Sequence, residues 1–532
     1  MPIIYSKLQS FFIGLAVFFL LSCALSWSFS HKNNGTDSTA AFYLTIIHTN
    51  DLHAHDVPFK DNGKLVGGLA KIDHLIESIR KERSNVLLVD AGDFFQGTPM
   101  FQRYGGDIEI ETLNRIGYDV VELGNHEFDR GASYLAQRLQ QAKFPVLACN
   151  LDCSRLPALK NIVKPSIVQE KQGEKIAFIG VITPDLAQKA LNLDGVKIDS
   201  PQGNWLAPVN RQIKIYRGQG INKIIVVSHC GIELDKELAK NCPDVDVIVG
   251  GHSHTRLNKP IWIEHQDGSL TAIVQTGCYG KALGDTQIAF DSDGHILRNE
   301  SKYHLINVNE DIAADPQLDT FLTEKEKPLL SLKDEIIGYS GGIFDNRFNV
   351  MSSDSAIGNL ICDALAESGL SDGVQIALQN RGGIRAKIDK GPISEEKIQE
   401  ILPFSNKVIY ADISGKAIIS AIEHSLSGPL YGSFLDVHGL KIGYDKNRSA
   451  GNRIVYILAQ TEAKEWLPIN QNALYRIAVN DYTFKGGEGY DFSGAVNVEH
   501  SNKDLASVFH DYLLKYKNVK PHYGNRIRLV GQ

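Results

Sequence analysis

The chain reads as an α/β protein: a largely parallel, buried sheet in the first half, joined to a second, mixed α/β region. Runs such as Leu44 to Ile47, Val86 to Val89 and Val245 to Val249 are rich in β-branched residues and do not alternate, as strands buried on both faces require. Helical patterns lie between several of them, for instance GLAKIDHLIESIRKE and SYLAQRLQQA, so the order is β-α-β and the connections predict parallel pairing.

Five short apolar runs of the first half each end, within a few residues, on an oxygen or imidazole donor. FYLTIIHTNDLHAH delivers Asp51 and His53, and NVLLVDAGD delivers Asp93. DVVELGNHEFD delivers Asn125 and His126, IIVVSHCG delivers His229, and DVIVGGHSH delivers His252 and His254. Ligands bind α/β sheets at the carboxyl ends of the strands, so polar residues at those ends converge in space although they are far apart in sequence. A single His229 or Asp51 would more often be a hydrogen-bonded structural residue or a turn residue. Together the set predicts a metal site. His55 reads as a loop residue beside it and His74 as an ordinary helix residue.

The remaining features place this site in its setting. At 532 residues the chain exceeds what one core usually supports, so two domains are expected. A net charge of −7 with no Lys/Arg blocks argues against nucleic acid or an anionic membrane as partner. At the amino terminus Lys7 precedes the apolar stretch Phe11 to Leu21, shorter than the ~20 residues that span a bilayer. Residues 1–26 therefore read as a secretory signal peptide and 27–41 as a flexible tether, which implies a periplasmic or secreted protein. The alternative is a lipoprotein anchored at Cys23, since LLSC resembles a lipid-attachment box, although Leu21 is bulky there. In an oxidising compartment Cys149 could pair with Cys153, or Cys230 with Cys242.

Beyond His304 the strand-and-donor pattern stops. The stretch 313–337 reads as a helical connector interrupted at Pro328, between a first domain over 42–312 and a second over 338–532. Strands are expected at Val374 to Ala377, Lys407 to Ala411 and Tyr475 to Val479, and helices at SAIGNLICDALAES and SGKAIISAIEHSL.

The motifs HTNDLHAH, GDFFQG, GNHEFD, SHCG and GGHSHT, in this order and spacing, resemble those of the 5′-nucleotidase family, and the similarity extends from about residue 42 to about residue 530. The resemblance implies a four-layer α/β/β/α metallophosphoesterase domain followed by a mixed α/β nucleotide-recognition domain. It implies two divalent ions, one held by Asp51, His53, Asp93 and His254, the other by Asp93, Asn125, His229 and His252, with Asp93 bridging. The all-nitrogen-and-oxygen donor set suits Zn, Mn or similar ions without choosing among them. His126 would stabilise the phosphoryl group or protonate the leaving oxygen, oriented by Asp129.

In the second domain the resemblance makes NRGGIRAKI the substrate segment, with Asn380 at the base, Gly383 allowing close backbone approach and Arg385 at the phosphate. Phe404 and Tyr482 would hold the base between two rings, and Glu488, where the family usually has Asp, would accept from the ribose hydroxyls. One departure is Met351 at a position where members carry an Arg. Arg347 aligns with a second Arg used by some bacterial members, and this arrangement favours monophosphates. The implied activity is hydrolysis of nucleoside 5′-monophosphates outside the cytoplasm. The alternatives are a 2′,3′-cyclic nucleotide phosphodiesterase or UDP-sugar hydrolase of the same family, and a non-catalytic nucleotide-binding module.

Overall fold

The computed structural model describes residues 40–61, 63–190, 192–345, 353–427 and 432–530. The stretch expected to be a signal peptide and most of the expected tether, with Cys23, Arg347 and Met351, lie outside the described residues.

The buried strands of the first domain divide between two sheets. Strands β1 (Phe42–Thr49), β2 (Val86–Asp90), β3 (Val120–Glu122), β4 (Val146–Leu147) and β5 (Val163–Lys164) run parallel, in that order across the first sheet. The second sheet is built from β6 (Ser166–Lys171), β7 (Glu174–Ile182), β8 (Lys223–His229), β9 (Val247–Gly250), β10 (Ile261–Glu264) and β11 (Leu270–Val274), in the order β10-β11-β9-β8-β7-β6. Its four central strands are parallel, and β6 and β10 are antiparallel edges. The chain then returns to the first sheet with the antiparallel strands β12 (Ala282–Phe290) and β13 (Lys302–Asn307) beside β1.

Both faces of each sheet are covered, which explains why the strand sequences do not alternate. Leu44, Ile46, Val89, Phe178, Val227 and Val249 pack between the two sheets. On the outer face of the first sheet, Ile47 and Leu88 meet Ile72 and Ile76 of the helix Leu69–Glu82, whose opposite side exposes His74. On the outer face of the second sheet, Val226 and Ile248 meet Val209 and Ile213 of helix Ala207–Gly218 and Leu238 of helix Ile232–Asn241. The result is the α/β/β/α stack.

Among the described residues the cysteines are free thiols, and neither pairing is formed. Cys149 and Cys153 belong to different hydrophobic cores. Cys230 donates instead to the Val181 carbonyl and Cys242 to Asn210 Oδ1.

Between residues 316 and 334 the chain is helical. Asp315 caps Pro316–Glu326 by accepting from the Gln317 and Leu318 amides, and Pro328 falls in a short 3₁₀ turn before Ser331–Asp334. The second domain centres on β14 (Ile376–Asn380), β15 (Lys407–Ser414), β16 (Leu435–His438), β17 (Leu474–Asn480) and β18 (Val496–Asp504), in the order β16-β14-β17-β15-β18. Strand β14 starts two residues later than expected, after a turn at Gly373 (φ 78°), and so reaches Asn380. Helices Ala356–Ser368 and Leu505–Tyr516 cover one face, and Gly415–Ser427 covers the other. Among the described residues no helix is long and apolar enough to cross a membrane.

Candidate active site

The pairing of β1 with β2 and of β7, β8 and β9 brings the donor-bearing loops to one end of the two sheets. Thr49 lies opposite Asp90, Ile182 opposite His229, and Ser228 opposite Gly250. Two groups form there: Asp51, His53 and His254, and Asp93, His229 and His252. Asp93 lies between them, its Oδ2 3.0 Å from His229 Nε2 and 3.8 Å from His53 Nε2. In the first group, His254 Nε2 is 3.3 Å from Asp51 Oδ1 and 3.1 Å from His53 Nε2.

The backbone is bent to achieve this. Asp51 (φ 51°), His53 (φ 48°), Asp93 (φ 56°), His252 (φ 72°) and His254 (φ 52°) all occupy the left-handed region. Such non-glycine conformations cost of order 1–3 kcal/mol each and persist only where the surroundings enforce them. The surroundings include Glu127, a buried residue inside the GNHEFD motif to which the sequence pattern assigns no role, whose carboxylate accepts from the Asp93, Phe95 and Gly124 amides. Asn50 braces Asp51 in a similar way, donating to its Oδ2 and to the Gly277 carbonyl. Gly124 must lack a side chain, since a Cβ there would collide with Asp93 Oδ1.

Imidazole orientation is fixed from behind. The Ala91 carbonyl holds His229 Nδ1 at 2.7 Å and the Gln96 carbonyl holds His53 Nδ1 at 3.1 Å, so both Nε2 atoms face the cluster. Among the described residues, the buried Asn125 Oδ1 has no hydrogen-bond partner, and His229 Nε2 faces the Asp93 carboxylate. Burial lowers the affinity of His229 and His254 for protons, yet Asp93 beside the first, and Cys278 and Asp51 beside the second, push both up to about 10. The centre thus attracts positive charge, and the ligand atoms of its two groups are carboxylate oxygens and imidazole nitrogens. The residues fit divalent cations.

His126 stands at the rim. Its amide donates to Asp93 Oδ1 at 2.8 Å, and its Nδ1 pairs with Asp129 Oδ2 at 2.8 Å. His55 is a half-buried neighbour: its Nδ1 lies 2.9 Å from the His53 carbonyl and its ring stacks on Tyr279.

The second domain reaches into this centre. Arg385 Nη2 lies 3.4 Å from His53 Nε2, and with burial its charge holds the His53 imidazole well below the ordinary value. Phe404, half-buried and outside the hydrophobic cores, stacks on His126 with ring centroids 5.6 Å apart. The Tyr482 hydroxyl donates to the Gln188 carbonyl of the first domain at 3.1 Å, and Glu488 pairs with Lys189. Gly383 is buried, and a Cβ there would approach Gln379 Nε2 to 2.6 Å. Asn380 is also buried, and its Oδ1 accepts from Asn480, Thr483 and Gln379. It lies at the foot of the Gly-rich segment with its carbonyl oxygen engaged internally.

Comparison with known proteins agrees with this architecture. Residues 44–256 match the calcineurin-like phosphoesterase family, and residues 336–494 match the 5′-nucleotidase C-terminal domain. The 5′-nucleotidase of Diplobatis ommata is 32% identical over 92% of this chain and 90% of its own length. This chain belongs to the 5′-nucleotidase family. The crystal structure of a 5′-nucleotidase precursor from Thermus thermophilus superimposes with a TM-score of 0.88 at 34% identity, over 92% of this chain and 100% of that one. The trifunctional nucleotide phosphoesterase YfkN of Bacillus subtilis is 30% identical over 92% of this chain, which spans only 35% of that longer protein. The family carries a two-cation phosphoesterase centre, and the paired clusters around Asp93 are its counterpart here.

Proposed function

We propose that the protein hydrolyses nucleoside 5′-monophosphates to nucleoside and phosphate in the periplasm or outside the cell, in nucleotide salvage. The observation that carries this reading is the meeting of two unlike surfaces: an Asp93-centred cation site, and Arg385 and Phe404 brought onto it by another domain.

Asp51, His53, Asp93 and His254 would hold one ion, and Asp93, Asn125, His229 and His252 the other. When bound, a pair of divalent ions lowers the pKa of water and neutralises phosphoryl oxygens. The chain's own residues do the rest. With Nδ1 paired to Asp129, His126 has Nε2 left to meet the phosphoryl group or leaving oxygen. Arg385 supplies a fixed positive charge for the phosphate, and Phe404 with Tyr482 offers aromatic faces to the base, worth roughly 1 to 3 kcal/mol per base and tolerant of its identity. His126→Ala is expected to lower kcat by about two to four powers of ten, the size of a lost general acid or oxyanion donor. Steady-state kinetics with AMP would show this, and an unaltered kcat would remove His126 from the mechanism.

A broader phosphohydrolase acting on cyclic nucleotides or UDP-sugars is the second reading, supported by the likeness to a trifunctional nucleotide phosphoesterase. Phosphate release from AMP, 2′,3′-cyclic AMP and UDP-glucose, measured side by side with Mn, Zn and Mg, separates the two. Comparable turnover of all three substrates would favour the broader enzyme. AMP bound without phosphate release in any metal would establish the non-catalytic module instead.

A further inference from the structure

Strand β7 pairs with β8 so that Ile182 lies opposite His229, yet among the described residues the loop that follows β7 places none in either cluster. It forms a short helix, Leu186–Lys189, and this helix meets the second domain. Lys189 Nζ donates to Glu488 Oε2 at 2.6 Å, with the two side chains only 14% and 9% exposed. One residue earlier, the Gln188 carbonyl accepts from the Tyr482 hydroxyl. The same short helix thus grips both Tyr482 and Glu488.

The gripped loop is itself tightly built. Glu488 has φ 57°, and its carbonyl pairs with His424 Nε2 at 2.8 Å. Its Oε1 lies against Gly382 of the Gly-rich segment and against Gly432, whose carbonyl accepts from the Gly382 amide: a Cβ on Gly432 would approach it to 2.6 Å and one on Gly382 to 3.3 Å. Moving Glu488 therefore disturbs the surface that carries Arg385. A charge pair buried between domains is costly unless both partners stay together, so separation of Lys189 from Glu488 is opposed.

We infer that Lys189 is a specificity-determining positioning residue: its clasp on Glu488 sets the nucleoside-recognition loop in register with the cation centre, and so favours nucleotides over simple phosphate monoesters. The inference rests on the nucleotidase reading. A small ester such as p-nitrophenyl phosphate needs the cation centre and the phosphate contact of Arg385, whereas AMP must also seat its ribose and base on the loop that Lys189 holds. Misplacement by about 1 Å costs on the order of 10²-fold in rate.

The test compares kcat/KM for AMP and p-nitrophenyl phosphate in the metal-loaded full-length enzyme, in Lys189→Met and in the charge-conserving Lys189→Arg, both of which leave Glu488 in place. The AMP value is expected to fall by about 10- to 100-fold in Lys189→Met, the p-nitrophenyl phosphate value by a much smaller factor, and Lys189→Arg is expected to keep most of the preference. An unchanged ratio of the two substrates in Lys189→Met, or a Lys189→Arg enzyme as impaired toward AMP as Lys189→Met, would overturn the clasp while wild-type AMP turnover stands. Wild-type enzyme that cleaves p-nitrophenyl phosphate and not AMP would overturn the nucleotidase reading, and the clasp with it.

Discussion

Asp93→Asn is expected to abolish phosphate release and to strip the purified protein of metal. Both groups of donors depend on this one side chain, since its Oδ2 approaches His229 on one side and His53 on the other, while its Oδ1 accepts from the His126 amide. Asparagine keeps the volume but removes the charge, and it presents an NH₂ group where a cation or an imidazole lone pair should be. The fall in kcat should exceed about three powers of ten, beyond the 10²- to 10³-fold typical of one lost oxyanion donor, because cations and the brace on His126 go together. Elemental analysis should find both sites depleted. In His254→Ala, by contrast, the group of Asp93, His229 and His252 keeps its donors, and the second ion should remain. Full metal content in Asp93→Asn would refute the bridging position.

The donors were legible in the sequence because each follows a β-branched run directly. Parallel pairing then leaves little freedom about where the ends of those runs meet. The division into two sheets was not legible from the runs themselves, since a strand buried by a second sheet and one buried by helices have the same composition. The left-handed bends at Asp51, Asp93 and His252 were likewise hidden, because they are held by contacts between remote segments: Glu127 accepts from the Asp93 amide, and Asn50 ties Asp51 to the Gly277 carbonyl. Glu127 did carry a signal, an acidic residue inside GNHEFD that the ligand pattern left without a task. Lys189 carried none, because its meaning comes from a partner 299 residues away. The cysteine pairings failed for a related reason: proximity in sequence did not reveal that Cys149 and Cys153 enter different cores.

The two arginines of NRGGIR separate stability from substrate binding, and the largest stability effect is expected at Arg381. Its side chain is fully buried, with Nε 3.0 Å from Asp436 Oδ2, Nη2 2.8 Å from Asp436 Oδ1 and 2.8 Å from the Ser353 carbonyl, and its guanidinium over the Phe434 ring. Asp436 in turn accepts from the Ser355 amide and hydroxyl at the cap of helix Ala356–Ser368. Arg381→Ala leaves that carboxylate buried with its charge uncompensated, which should cost about 3–5 kcal/mol. Urea unfolding followed by circular dichroism would measure the loss directly. Arg385, four residues on, is half-buried and faces His53. Arg385→Ala should leave the urea midpoint nearly unchanged and raise KM for AMP more than about tenfold, since a charge-assisted hydrogen bond contributes about 1.5–3 kcal/mol. If instead Arg381→Ala unfolds at the wild-type midpoint, the Asp436 charge must be met by other groups, and the buried pair would not be what joins the Gly-rich segment to the sheet beneath it.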